Sequence, residues 1–211
     1  MSFREDAFAI TAKGIIDNLE KRNMEGLYFA DSKAAVNYIL SIMPNGSSVA
    51  WGGSMSVIES GLMEAIQNGD YELIDRSKAA NVEEARQIFA KTSLSDYYLM
   101  STNAITLNGE LINIDGNGNR VASLIHGPAH VIIIAGMNKV VADVESGYHR
   151  IKTMACPPNA VRLNRNIPCG ITGKCADCLS QDCFCNQIVV TRRSGHAGRI
   201  KVILVGENLG Y

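Results

Sequence analysis

The stretch SVAWGGSMSVIESGLMEAIQ, residues 48–67, decides the fold. Ser48 to Trp51 reads as a short strand and Gly52-Gly53-Ser54 as a tight turn, while Met55 to Gln67 places Ile58, Leu62, Ala65 and Ile66 on one face of a helix. A strand running through glycines into a helix is half of a parallel-sheet unit, because parallel strands need a crossover, usually helical. The same alternation recurs on both sides. Upstream, Phe8, Ala12, Ile15 and Leu19 mark an amphipathic helix, Leu27 to Ala30 a strand, and Asp31 caps a helix presenting Ala35, Val36, Ile39, Leu40 and Met43. Downstream come a strand at Tyr71 to Ile74, a helix marked by Val82, Ala85 and Phe89, and a strand at Asp96 to Met100. The expectation is an α/β fold with a largely parallel sheet flanked by helices.

Beyond Met100 the texture changes. Residues 101–121 are Asn- and Gly-rich turns around short β runs, expected to form hairpins or an excursion at the end of the sheet. The β-branched run Val131 to Ile134 reads as a buried central strand, followed by a helix through Val144, Tyr148, Ile151 and Ala155. Ile188 to Val190 and Ile200 to Val205 supply the last strands, and no repeat or low-complexity linker interrupts the chain. One domain over residues 1–211 is expected, with residues 156–186 as a cysteine-rich insertion.

Composition narrows the function. With 211 residues, 20 basic against 21 acidic side chains and 46% hydrophobic residues, the chain has the balance of a globular protein, not of a disordered or nucleic-acid-wrapping one. The longest purely apolar run, Val131 to Ala135, is far short of the roughly 20 residues that span a bilayer, and MSFREDAFAI is too polar for a signal peptide. A cytoplasmic protein is expected. In a reducing compartment, clustered cysteines more often hold metal than pair as disulfides, and all six here fall between Cys156 and Cys185. Between Arg150 and Lys201 stand nine basic residues and only Asp177 and Asp182 as acids. Such a segment offsets a metal–thiolate centre, faces an anionic ligand, contacts nucleic acid or is simply a solvated basic face. RNA binding is the weakest of these, since Phe184 is the only aromatic residue near the cysteines available for stacking.

Four constellations carry candidate chemistry. Gly52, Gly53 and Ser54 form an anion cradle or a merely structural turn, and without G-x-G-x-x-G or a Walker lysine they indicate no nucleotide cofactor. In the polar loop, Glu110 is the candidate general base or carboxylate nucleophile, with Asn103 and Asn108 orienting it; turn formation alone also explains the asparagines. Asn138 and Lys139 follow the central strand, with Lys139 and Arg150 positioned to close over an anion. In PCGITGKCADCLSQDCFC, Cys175 and Cys178 form a C-x2-C knuckle that Cys169 and Cys185 complete to four thiolates, with five, two and six residues intervening. That spacing fits neither zinc ribbons nor common iron–sulfur runs closely, so zinc and an iron–sulfur cluster both stay open.

WGGSMS (51–56), STNAITLNGELINIDGNGNRVASLIHGP (101–128), VIIIAGMNKVVADVESGYHRI (131–151), PCGITGKCADC (168–178) and VILVGENLGY (202–211) together resemble the LUD domain family of lactate-utilisation proteins. The resemblance spans essentially the whole chain. It implies a fold of the sugar-phosphate isomerase and CoA-transferase type and a role in bacterial lactate or related organic-acid utilisation beside an iron–sulfur partner subunit. It also implies Gly52, Gly53, Ser54, Asn103, Asn108, Glu110, Asn138 and Lys139 as ligand-site positions, and Cys169, Cys175, Cys178 and Cys185 as the metal set, with Cys183 an alternative fourth ligand. Expected partners are a small anionic metabolite and, in a homo-oligomer, a second copy. The alternative is a zinc- or cluster-bearing accessory subunit for electron transfer, without a catalytic step of its own.

Overall fold

A computed structural model describes residues 2–211. Helix α1 (Phe3–Lys21) opens with a capping box in which Ser2 and Glu5 satisfy each other's backbone N–H. The chain continues through β1 (Glu25–Phe29), α2 (Ser32–Ile42), β2 (Ser48–Trp51), α3 (Met55–Glu59), α4 (Leu62–Gln67), β3 (Glu72–Ile74), α5 (Val82–Ser93) and β4 (Tyr97–Met100). Next come β5 (Ala104–Thr106), β6 (Leu111–Asp115), α6 (Asn119–Ile125), β7 (His130–Gly136), β8 (Val140–Val141) and α7 (Val144–Arg150). The last elements are α8 (Cys156–Arg162), α9 (Pro168–Thr172), β9 (Gln187–Thr191) and β10 (Ile200–Val205).

Six strands form one wholly parallel sheet in the order β1-β10-β7-β4-β2-β3. This is the expected α/β fold. Alternation along the central strands divides the core: Val131, Ile133, Val202 and Leu204 pack under Ala12, Ile15 and Leu19 of α1. Ile132, Ile134, Ile203 and Val205 pack on the other face against Ala35 and Ile39 of α2 and Leu62 and Ile66 of α4. From β2 the chain passes outward to β3 and then returns to β4 on the other side, so β2 and β4 flank a switch point where the strand ends leave a crevice.

The structure corrects several local expectations. Residues 55–67 are two helices rather than one, because Gly61 turns left-handed at φ 80° after Ser60, and Ile58 is left exposed. On α5, Val82 and Phe89 are exposed, so that helix lies only loosely on the sheet. The Asn- and Gly-rich stretch forms the expected hairpin, β5–β6, which belongs to a second sheet, β8-β5-β6-β9, where β6 also pairs antiparallel with β9. Between α7 and α8, residues Ile151–Ala155 widen into a π-helical turn immediately before Cys156-Pro157-Pro158. Two prolines supply no N–H and crowd the preceding turn, which the wider coil accommodates. Ala155, Cys156, Ala160, Ile167 and Cys169 share a third core with Ile112 and Ile114 of β6. Among the described residues no helix is long and apolar enough to cross a membrane.

Candidate functional site

Outside the carboxyl ends of β2, β4 and β7 lies a cavity of about 320 Å3. Gly53 and Ser54 form one wall, Ser101 to Asn103 and Lys139 the floor, and Asp115 to Gly116 with Asn119 and Arg120 the side reached through β6. Cys156, Arg162, Arg165 and Phe184 close it from α8 and the cysteine segment, and Arg76 enters from the end of β3. Four arginines and Lys139 thus meet one side-chain carboxylate, Asp115, whose oxygens already accept from the Gly118, Arg120 and Val121 N–H groups. The arrangement favours an anion.

Two arginines hold the frame. Arg120 donates to Ser101 O at 3.1 Å, Asn113 Oδ1 at 2.6 Å, Asn103 Oδ1 at 2.9 Å and Ile114 O at 2.7 Å, with Asp115 3.7 Å from its Nε. Arg150 donates to Asn138 O at 3.0 Å and Asn103 O at 2.9 Å, tying the loops after β7 and β4 together rather than reaching over a ligand. Burial holds both guanidinium groups below their ordinary pKa. The glycine pair serves these contacts. A Cβ on Gly52 would stand 3.1 Å from Arg120 Cδ and from the Tyr98 hydroxyl, and one on Gly53 would stand 2.9 Å from an Arg76 guanidinium nitrogen. Neither glycine has a positive φ, so close approach to Arg120 and Tyr98, and not a left-handed turn, is what favours Gly52, while the Arg76 guanidinium beside Gly53 is the end of a flexible side chain.

Lys139 places a buried amine in the floor, 4% exposed. Its Nζ donates to Ser56 Oγ at 2.7 Å and Ser101 Oγ at 3.0 Å, and among the described residues no carboxylate lies within ion-pair distance. Desolvation, reinforced by Arg150 and Arg120 and opposed by Glu59, lowers its pKa to about 7. Asn138 stands behind it, accepting from Leu209 N–H at 3.1 Å and anchoring the C-terminal tail whose Tyr211 reaches the cavity.

The expected site residues therefore separate. Gly53, Ser54, Asn103 and Lys139 line one cavity, with Gly52 and Asn138 directly behind its wall. Asn108 and Glu110 do not reach it. They occupy the far turn of the β5–β6 hairpin, which leads away from the strand ends before Asp115 returns. There Arg22 pairs with Glu110 at 2.6 Å and donates to Asn108 O at 2.6 Å, while Thr106 supplies a further hydrogen bond to the carboxylate. These contacts fasten α1 to the hairpin. Arg162 and Arg165 belong to the basic segment for which an anionic ligand is one reading, whereas sequence reasoning missed Arg76; it had a usable signal, since it stands just past the end of β3 as Gly52 does past β2.

All six cysteines are free. Cys156 Sγ lies 3.6 Å from Cys185 Sγ, so a thiol outside the expected set of Cys169, Cys175, Cys178 and Cys185 joins the group. Hydrogen bonding to Cys156, then burial, raises the Cys185 pKa, and Cys183 also contacts Cys185 and Cys178. Burial first, then the neighbouring Cys185, Cys175 and Cys178, raises Cys169. Among the described residues no three His, Cys, Asp or Glu side chains already stand in metal-ligating positions.

An open parallel sheet with a basic cavity across its switch point defines an α/β protein of the doubly wound kind. The chain belongs to the LUD domain family, whose pattern it matches over residues 12–205. A solved DUF162 family protein from Deinococcus radiodurans is similar in fold, at 14% identity and TM-score 0.56, covering 94% of this chain and 98% of that one. The eIF2B delta structure from Chaetomium thermophilum matches at 14% identity and TM-score 0.38 over 55% of this chain and 50% of that one. No curated protein matches the sequence.

Proposed function

We propose that this LUD domain binds a small carboxylated or phosphorylated metabolite in the cavity at the carboxyl ends of the sheet, in organic-acid utilisation of the lactate type. The observation that carries the reading is the convergence of Arg76, Arg120, Lys139, Arg162 and Arg165 on one pocket whose only side-chain carboxylate among the described residues is engaged in capping α6. At about 320 Å3 the pocket is at the small end of ligand sites, which suits a metabolite and not a dinucleotide. Thermal shift against lactate, pyruvate, inorganic phosphate and sugar phosphates tests it. A saturable rise in Tm that Arg76→Ala weakens is expected, and no shift with any of these anions refutes the reading.

The thiols favour a second element, a metal held beside that pocket. The 3.6 Å between the Cys156 and Cys185 sulfurs is close to the roughly 3.8 Å edge of a tetrahedron with 2.3 Å zinc–sulfur bonds. Four of the six thiols would hold zinc or an iron–sulfur cluster, Cys185 among them, with the nearby basic residues partly neutralising the thiolates. Zinc would brace the cavity wall, whereas a cluster would make the chain an electron-carrying subunit. Metal analysis of anaerobically purified protein with its absorbance near 400 nm separates the two, and metal-free, colourless protein that takes up neither refutes both.

A further inference from the structure

Lys139 holds its amine in an arrangement that the binding of an anion does not require. Its Nζ has two hydroxyl neighbours, and each of those spends its own hydrogen elsewhere: Ser56 Oγ donates to Leu209 O at 3.0 Å and Ser101 Oγ to Thr102 O at 3.3 Å. Both serines are therefore acceptors toward the lysine, at 2.7 and 3.0 Å. A neutral amine has two hydrogens and one lone pair. The two serines take both hydrogens, and among the described residues no third group meets the nitrogen. Lys139, Ser56 and Ser101 all line the cavity, so the lone pair has a ligand space beside it. The charged groups around it are Arg150 and Arg120, which disfavour an ammonium ion, and Glu59, which favours one but whose carboxylate already accepts from Gly210 N–H at 2.6 Å. Burial next to other cations is the setting in which a lysine becomes a nucleophile.

We propose that Lys139 forms a Schiff base with a substrate that carries a carbonyl beside its anionic group, a 2-oxo acid or a keto or aldehyde phosphate. This rests on the cavity being the anion site and names its substrate class. The amine lone pair attacks the carbonyl carbon, forming the C–N bond as the C=O π electrons move to oxygen. Proton transfer from nitrogen to that oxygen gives a carbinolamine, which loses water to leave the imine. The serines hold the amine in place, and the arginines at the rim would hold the carboxylate or phosphate. The imine, once protonated, keeps the positive charge that the bound anion would offset. At pH 7.5 a group titrating at about 7 is roughly three-quarters neutral, against about 0.1% of an exposed lysine. Reaction should therefore be confined to this one position.

The test is trapping by borohydride at pH 7.5 with pyruvate in one arm and dihydroxyacetone phosphate in the other. Intact mass should rise by the mass of the probe less one oxygen atom in one arm or both, and peptide mapping should put the adduct on Lys139. The arm that reacts identifies the anionic group. Lys139→Arg, which keeps the charge but has no comparable nucleophile, should abolish the adduct while still melting cooperatively. No adduct in either arm, or adducts on surface lysines alone, overturns the proposal. Thermal shift with lactate and inorganic phosphate, which have no carbonyl for an amine to attack, is run on the same wild-type protein. A Tm rise without trapping leaves the anion site standing and removes the Schiff base. Trapping at Lys139 without a Tm rise supports the nucleophile and counts against the wider binding reading.

Discussion

Replacing Arg120 with methionine removes a guanidinium while leaving a side chain of similar reach. In the native protein this group satisfies Asn113 Oδ1, Asn103 Oδ1 and the Ser101 and Ile114 carbonyls, and it stands beside Asp115. Asn103 Oδ1 keeps a second donor, Ile114 N–H at 3.0 Å. Asn113 fares worse. It is fully buried, its amide nitrogen already lacks a partner among the described residues, and Arg120 is the partner of its oxygen. Each buried acceptor left unsatisfied costs about 1–3 kcal/mol, and breaking a buried charge pair on one side costs about 3–5 kcal/mol in total. We therefore expect Arg120→Met to lose about 4 kcal/mol. With a urea slope of about 2.5 kcal/mol/M, the midpoint should fall by about 1.5 M at unchanged slope. Arg120→Lys should recover only part of this, because an ammonium cannot reproduce the planar fork. A midpoint within about 0.3 M of wild type for Arg120→Met would show that the frame does not depend on this residue.

Glu110→Gln should lose about 1–2 kcal/mol of stability, measured by urea titration, with anion-induced Tm shifts intact, because Glu110 clamps Arg22 and Thr106 away from the cavity. Loss of the ligand response at unchanged stability would restore it to the site. Gly147→Ala should cost about 1–3 kcal/mol by overpacking, since a Cβ there would come within 2.2 Å of Ile112 Cδ1; a neutral result would mean that this contact yields freely. Gly53→Val should weaken anion binding, read by titration calorimetry, because a side chain there displaces the Arg76 guanidinium, and adding it to Arg76→Ala should cause little further loss. For Lys139 the unfolded state keeps the proton between its folded pKa of about 7 and its ordinary value, so this group disfavours the fold below pH 7 and the penalty fades as pH rises. Lys139→Met should accordingly gain most over wild type at low pH, with the gain shrinking by about 1.4 kcal/mol per pH unit above 7; a constant difference from pH 7 to 9 would contradict the assigned burial.

The parallel sheet was legible because its signals are local. Val131 to Ile134 is an unbroken β-branched run and becomes the central strand, buried on both faces. The glycine turn was legible as a strand-end turn but not for what surrounds it, Arg76 standing 23 places beyond Gly53 and Arg120 68 places beyond Gly52. Glu110 shows the opposite failure. A carboxylate among asparagines looks chemical in sequence, but strand pairing places Thr106 and Glu110 together at the far turn, and α1 brings Arg22 to meet them. Cys156 stands 13 residues before the next cysteine, and only the helix carrying it across the third core shows that it belongs with Cys185.

The basic residues of this chain do two different jobs, and their hydrogen bonds tell them apart. Arg120 and Arg150 are spent on carbonyl and amide oxygens of β6 and of the loops after β4 and β7, so their charge contributes to the potential of the cavity while their donors are committed. Arg76 makes no side-chain hydrogen bond among the described residues, and Arg165 faces Asp182 only at 3.6 Å, so both keep donors for a ligand. Lys139 is intermediate: two neutral hydroxyls fix its position and leave its amine without a carboxylate partner. A site built this way is polarised before any ligand arrives, because the groups that set its field are locked by backbone contacts. Residues that met a ligand there would need little reorganisation on binding. On this argument, removing a frame arginine should damage folding and binding together, whereas removing Arg76 should damage binding alone.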